Sequence, residues 1–221
     1  SSDLDSNLAT IPFGHSYGLG NLVMPCIMKG CPIHICADPY PHTIAATVKA
    51  CRTTVYPTVP AILKALIRSE VNPSDIASLR LWISAGSLLD ASVASGFEKL
   101  FEKRVHNFYG SSETGGIAYD ATGDDTLSGR SVGKPLQGVT VSVSKSNRLL
   151  VKSKAVFKRH NPRTSVQQGS FLLPDLAGIL TDGSIRLGGR RARIVKLSGK
   201  RLSLAEVENA LLNIPGIDAC F

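Results

Sequence analysis

Along the first half of the chain, short apolar runs alternate with longer stretches in which apolar residues recur every three or four positions. Leu8–Pro12, Pro32–Ile35, Thr53–Tyr56, Leu81–Ser84 and Val105–Tyr109 are apolar on both faces, which predicts buried strands. Between them, His42–Cys51 follows a proline start. Val59–Arg68 sets Ile62, Leu63, Leu66 and Ile67 on one face, and Ala91–Phe101 does the same with Val93, Phe97, Leu100 and Phe101. These three are predicted helices. Strand alternating with helix implies crossover units, a parallel sheet with flanking helices, and an α/β fold. Ligands of such sheets sit at the carboxyl ends of strands, so the loops after Pro12, Ser84 and Tyr109 are the places to look.

The pattern changes near residue 126. Val139–Ser144, Leu149–Lys152, Gly178–Leu180 and Ser184–Leu187 are short and turn-separated, with Thr181-Asp182-Gly183 as a hairpin turn. They predict a small antiparallel, barrel-like β unit. Gly188–Arg193 is glycine-started and basic and is expected to be a hinge. Beyond it, Ile194–Leu197 and Arg201–Leu202 flank a second hairpin turn, and Ser203 with Glu206 forms a capping box for a helix to about Leu212. The expected division is therefore 1–125, 126–187, the hinge 188–193, and 194–221 as the start of a small α+β domain. One hairpin and one helix cannot bury a core, so that last unit is expected to be truncated.

Composition narrows the classes. The chain has 221 residues, 43% hydrophobic and 19% charged, enough for a real core and against wholesale disorder. Its longest apolar run, Leu22–Met28, is interrupted by Pro25 and far too short to span a bilayer. The opening SSDLDSNL lacks a secretory n-region and apolar core, and five cysteines, an odd number, argue against a disulfide framework. A reducing, cytoplasmic setting is expected. Cys31, His34 and Cys36 lie close enough to suggest zinc, but they read better as a buried strand. The net charge of +8 is uneven. Lys145–Arg201 holds 14 Lys and Arg against Asp175 and Asp182 alone. Such a basic stretch suits a polyanionic ligand or a solvated face. Nucleic acid is the competing partner, although no aromatic residues interleave this stretch as stacking would require.

One segment is specific. In Asn107-Phe-Tyr-Gly-Ser-Ser-Glu-Thr-Gly115 an aromatic residue, a glycine and hydroxyls beside a carboxylate follow a predicted strand. Gly110 allows close approach to a ligand, Ser112 can hydrogen-bond a phosphate oxygen, and Glu113 can hold Mg²⁺. By itself the segment is equally consistent with a plain polar loop. Upstream lie Pro12-Phe-Gly-His15-Ser-Tyr-Gly18 and Ser84-Ala-Gly-Ser-Leu88. Downstream lie Ser131-Val-Gly-Lys-Pro135, Leu172-Leu-Pro-Asp175 and the stretch Gly188–Glu208.

This ordered set resembles the AMP-dependent synthetase and ligase superfamily, whose members include acyl-CoA synthetases, aryl-CoA ligases, firefly luciferase and the adenylation domains of nonribosomal peptide synthetases. The resemblance implies roles by position. His15 would stand at the mouth of an acyl pocket, or simply cap a helix. Ala85, Gly86 and Ser87 would lie along adenine and Tyr109 would pack on its ring. Gly110 belongs to the same nucleotide-binding loop. Ser112 takes the place of the usual phosphate-binding threonine, and Glu113 would be the magnesium carboxylate. Asp175 would accept both ribose hydroxyls, with Arg190 reaching the ribose and phosphate. Lys196 and Arg201 would belong to a hairpin that docks over the site as the small domain rotates.

The chain departs from the family pattern in two places. Leu173-Pro174 stands where Thr-Gly is usual before Asp175, and Ala192 stands at a hinge position that is usually Asp or Lys. The phosphate-cradling loop expected upstream of Pro12, and the lysine expected beyond Phe221, are not in the sequence. The resemblance implies ATP-dependent activation of a carboxylic acid to acyl-AMP, as in fatty acid metabolism, and transfer to coenzyme A or a carrier protein's phosphopantetheine. The isolated chain is expected to be inactive. The competing readings are a degenerate homologue that binds nucleotide or acyl group without catalysis, and a nucleic-acid-binding module using the basic stretch.

Overall fold

A computed structural model describes residues 5–157, 169–190, 194–197, 200–203, 207 and 211. Five parallel strands begin the main sheet: β1 (Asn7–Ala9), β2 (Ile33–Ile35), β3 (Val55–Thr58), β4 (Leu81–Ser84) and β5 (Val105–Ser111). Two antiparallel strands, β6 (Gly115–Tyr119) and β7 (Lys134–Pro135), extend it, giving the order β2-β1-β3-β4-β5-β6-β7. The crossovers are helical. A continuous helix runs from α1 (Ser16–Gly18) through a π-helical turn (Leu19–Val23) into α2 (Met24–Lys29). Then come α3 (Pro41–Cys51), α4 (Pro60–Ile67) and α5 (Ala91–Phe101), with the short α6 (Asp124–Ser128) before β7.

Local chemistry sets these boundaries. Pro41 and Pro60 open their helices at the first turn, where a missing N–H costs nothing. Asp90 caps α5 by accepting the Ser92 N–H at 2.7 Å. The predicted strand Leu8–Pro12 ends early, at Ala9. Beyond it the chain turns so that the Pro12 carbonyl receives the His15 N–H.

The apolar faces predicted for α4 and α5 pack on the sheet, except Leu100, which is exposed. Leu63, Leu66, Phe97 and Phe101 join Leu8, Ile44, Tyr56 and Trp82 in one buried cluster. Trp82 sits at its centre with edge-on contacts to Tyr56, centroids 5.3 Å apart, and to Phe97, 4.8 Å apart. Burial pushes the Tyr56 phenol up to about 12. Cys31 and Cys36 are buried, and the Cys36 thiol donates to the Asp38 carbonyl. Among the described residues no group of three or more His, Cys, Asp or Glu is placed to hold a metal, and no helix is long and apolar enough to cross a membrane.

The second sheet is antiparallel, in the order β11-β10-β9-β8: β8 (Thr140–Val143), β9 (Arg148–Lys152), β10 (Ser170–Ile179) and β11 (Ile185–Arg190). It packs its own core of Leu149, Val151, Leu173 and Ile185 against Ile117 and Ala118 of β6. The two sheets are joined where Val132 N–H donates to the Ile185 carbonyl at 2.8 Å and Ile185 N–H to that of Gly133 at 2.9 Å. Thus Ser131-Val-Gly-Lys-Pro135 works as a backbone seam. The last strand extends through Gly188 and Gly189 to Arg190, so the start of the expected hinge is strand. Ala192 lies outside the described residues. A third sheet pairs β12 (Ile194–Leu197) with β13 (Lys200–Ser203), setting Lys196 opposite Arg201. Of the predicted terminal helix, the structure describes only Val207 and Leu211, both helical.

Candidate active site

The carboxyl ends of β1, β4 and β5 open onto one cavity of about 630 Å³. Its walls come from three of the predicted loops. His15, Ser16, Tyr17, Gly20 and Asn21 contribute from the helix after β1, and Ala85 and Gly86 from the end of β4. Phe108, Gly110, Ser111, Ser112, Glu113, Gly115 and Gly116 contribute from the β5–β6 hairpin. A strand-end location is what a parallel sheet dictates.

The hairpin is shaped by glycine. A Cβ on Gly110 would lie 2.6 Å from the Gly115 carbonyl oxygen, and one on Gly116 would meet the Phe108 ring at the same distance. The backbone therefore closes tightly and turns Ser112 and Glu113 outward. Thr114 is buried under the turn, and its hydroxyl lies 3.0 Å from that of Ser111. The Glu113 carbonyl accepts the Phe157 N–H at 2.9 Å, which ties the turn to the second sheet's side. The Glu113 carboxylate itself has no hydrogen bond or ion pair with a described residue. A half-buried carboxylate without a partner among the described residues, beside the Ser112 hydroxyl, offers the hard oxygen donors that Mg²⁺ prefers.

The opposite wall is the P-x-x-H-x-x-G segment. A Cβ on Gly18 would meet the Pro12 carbonyl oxygen at 2.2 Å, so glycine alone lets the helix start fold back under the loop. His15 caps that helix: its Nδ1 accepts the Tyr17 N–H at 3.1 Å. In the neutral ring the proton then sits on Nε2. Capping and the cavity wall thus fall to the same imidazole. Ser16 Oγ lies 3.1 Å from Ser112 Oγ, joining the two walls. Tyr17 is buried, stacks on Phe108 with centroids 6.1 Å apart, and donates its hydroxyl to the Ile83 carbonyl at 2.8 Å. Burial drives its phenol far above the ordinary tyrosine range.

Not every predicted residue reaches this cavity. Ser87 is exposed beyond it. Tyr109 turns toward the second sheet, where its hydroxyl donates to the Asp175 carboxylate at 3.0 Å. Asp175 is buried there, 7% exposed, and Leu173 packs in the second core. Only the backbone of Arg190 is described, opposite Asp175 in the β10–β11 ladder. For Lys196 and Arg201 likewise only the strand backbone is described. Sequence reasoning missed Ser16, Tyr17, Asn21, Phe108 and Leu136 as wall residues. The helical period holds a signal for two of them: Asn21 lies one turn beyond Tyr17, and its amide donates to the Tyr17 carbonyl.

Comparison with known proteins finds relatives by sequence and by fold. A probable CoA ligase of Humulus lupulus is 26% identical over 234 residues, covering 95% of this chain and 42% of that protein. An L-proline–[L-prolyl-carrier protein] ligase of Streptomyces coelicolor is 28% identical over 197 residues, covering 79% of this chain and 37% of its own length. The chain thus spans less than half of these relatives. Among solved structures, the fold matches O-succinylbenzoate coenzyme A synthetase from Bacillus subtilis in complex with AMP. The TM-score is 0.84 at 20% identity, over 99% of this chain and 48% of that one. The sequence profile of the AMP-binding enzyme family matches residues 2–154, most of the chain, and the chain belongs to that family.

Proposed function

We propose that this chain forms the nucleotide- and acyl-binding part of an enzyme that joins a carboxylic acid to a thiol through an acyl-adenylate. The observation that carries the reading is the glycine-built β5–β6 turn, which holds Ser112 and a Glu113 without a partner among the described residues in a cavity at the strand ends. In the first half-reaction a carboxylate oxygen of the substrate attacks the α-phosphorus of ATP. The bond to the bridging oxygen breaks and pyrophosphate leaves with its electron pair. In the second, a thiolate attacks the acyl carbonyl and AMP departs.

The chain's residues serve these steps by positioning and by hydrogen bonding. Ser112 donates to a phosphate oxygen, with Ser16 fixing its rotamer. Ala85 and Gly86 give adenine a flat, unobstructed edge, and Asp175, beyond the cavity wall on the second sheet, would accept ribose hydroxyls, with Arg190 opposite it in the ladder. His15, its Nδ1 engaged by the helix, offers an Nε2–H at the cavity mouth. Glu113 would hold Mg²⁺, which neutralises phosphate charge when bound. Lys196 and Arg201 would close over the site from the third sheet. The carboxylic acid remains general in this proposal. The thiol is coenzyme A or a carrier phosphopantetheine, since the relatives include a CoA ligase and a carrier-protein ligase.

The test is carboxylate-dependent ATP–pyrophosphate exchange by the full-length protein, titrated with Mg²⁺. Glu113→Gln is expected to raise the Mg²⁺ concentration needed for half-maximal exchange by at least about tenfold, since removing one charge stabiliser costs about 10²–10³ in rate. Glu98→Gln, whose carboxylate pairs with Arg104, should leave it unchanged. An unaltered Mg²⁺ requirement in Glu113→Gln, or no exchange with any carboxylic acid in the wild type, overturns the proposal.

A further inference from the structure

The departure at Leu173-Pro174 has a structural counterpart in an arginine that none of the sequence motifs includes. Two register shifts converge on Asp175. Toward β9, Leu172 pairs with Leu150 but Leu176 already pairs with Arg148, so β10 carries extra residues. Toward β11, Asp175 pairs with Arg190 but Ala177 with Leu187, so there the extra residue lies on the partner. Pro174 sits inside this bulge. It has no N–H to give, and a bulge is where an inner strand tolerates proline. At the bulge the carbonyls of Leu172 and Leu173 accept from a side chain. Arg148 supplies the donors: its Nε reaches the Leu173 carbonyl at 2.8 Å and its Nη2 the Leu172 carbonyl at 3.0 Å. The rigid guanidinium fork thus spans two successive peptide groups, which a single-point donor cannot do. On the far side of the bulge, the Tyr109 hydroxyl holds the Asp175 carboxylate at 3.0 Å.

We infer that Arg148 is the positioning residue for Asp175. With Leu in the core and Pro without a donor at the two positions before it, the aspartate's place is set by the Arg148 fork behind the bulge and by Tyr109 in front. Both fix the carboxylate before a nucleotide arrives, so its two oxygens need little rearrangement to accept ribose hydroxyls. This inference rests on the reading of Asp175 as the ribose ligand and deepens it. The chain's selectivity for a ribonucleotide would then depend on a residue in a neighbouring strand that touches no substrate.

The test uses the full-length protein and compares kcat/KM for ATP with that for 2′-deoxy-ATP. Asp175→Ala should collapse the preference for ATP. Arg148→Met, which keeps an unbranched apolar stem and removes the donors, should lower that preference about three- to tenfold, chiefly through KM for ATP. Arg148→Lys, whose single ammonium nitrogen cannot span two carbonyls as the fork does, should recover part of it. Tyr109→Phe, which keeps the ring, should lower it on its own. A purely structural role for Arg148 would reduce thermal stability and leave the ratio of the two nucleotides at the wild-type value. If Asp175→Ala collapses the preference while Arg148→Met and Arg148→Lys both retain it, the positioning role is overturned and the ribose reading stands. If Asp175→Ala also leaves the preference intact, the ribose reading fails and this inference falls with it. Should Arg148→Met not fold, the Arg148→Lys and Tyr109→Phe ratios decide.

Discussion

Gly18 and Gly20 lie two residues apart in the helix after β1, Gly20 on the wall of the cavity, and their surroundings differ completely. A Cβ at 18 collides with the Pro12 carbonyl, whereas one at 20 meets nothing within 4 Å. Gly18→Ala is therefore expected to destabilise the protein by about 1–3 kcal/mol, because backbone must move to admit the methyl group. Gly20→Ala should be neutral or stabilising by up to about 1 kcal/mol, since alanine is the better helix former. Urea denaturation of the two variants checks this, and equal losses would mean that the 12–18 fold-back is misassigned. At this scale the sequence was informative where a motif fixes chemistry and spacing together. His15, Ala85, Gly86, Ser112 and Glu113 all reach the cavity. It was silent on Arg148, an arginine in an alternating strand whose role arises only when β10 bulges beside it.

Among the elements, the hairpin joining β10 to β11 shows how a turn acquires a pH response. Asp182 accepts the Ser184 N–H at 3.0 Å and its hydroxyl at 2.6 Å, and Arg130 Nη2 reaches its other oxygen at 2.6 Å. Arg130 also donates to Asp125, so the hairpin is tied to the end of α6. The Ser184 side chain first, then Arg130, hold the Asp182 carboxyl well below the usual carboxylate range. A depressed folded-state pKa contributes stability that is complete above the unfolded value of about 3.9 and is lost as pH falls through the folded value. Asp182→Asn should therefore flatten the acid limb of the stability profile below about pH 4, while costing some stability at neutral pH. Parallel urea midpoints from pH 6 to pH 2 provide the measurement, and identical acid slopes would count against the network. The elements were unevenly legible. Leu81–Ser84 and Ala91–Phe101 are found where their patterns put them. The strand Gly115–Tyr119 was missed because it opens with two glycines inside a motif. Only the last part of the ten-residue β10 was anticipated, because Pro174 breaks its alternation.

For the whole molecule, the governing fact is that two cores meet at a polar seam. One lies among α3, α4, α5 and the parallel strands, and the other between the second sheet and β6. The backbone bonds at Val132, Gly133 and Ile185, and the Tyr109–Asp175 bond, cross between them. The change of pattern near residue 126 announced a boundary between these two units but could not show this joint, which depends on backbone atoms that carry no residue code. The joint has an optical consequence. The chain contains a single tryptophan, and Trp82 is wholly buried with no described hydrogen-bond partner for its indole nitrogen. Its emission should be strongly blue-shifted and should report on the first core alone, whereas circular dichroism reports on both. If the seam couples the cores, tryptophan fluorescence and circular dichroism will trace one denaturation curve for the 221-residue chain. Separated midpoints would reveal independent units. The indole is therefore a built-in lamp in one room of a two-room house, and the timing of its dimming tells whether the wall between the rooms holds them to a common fate.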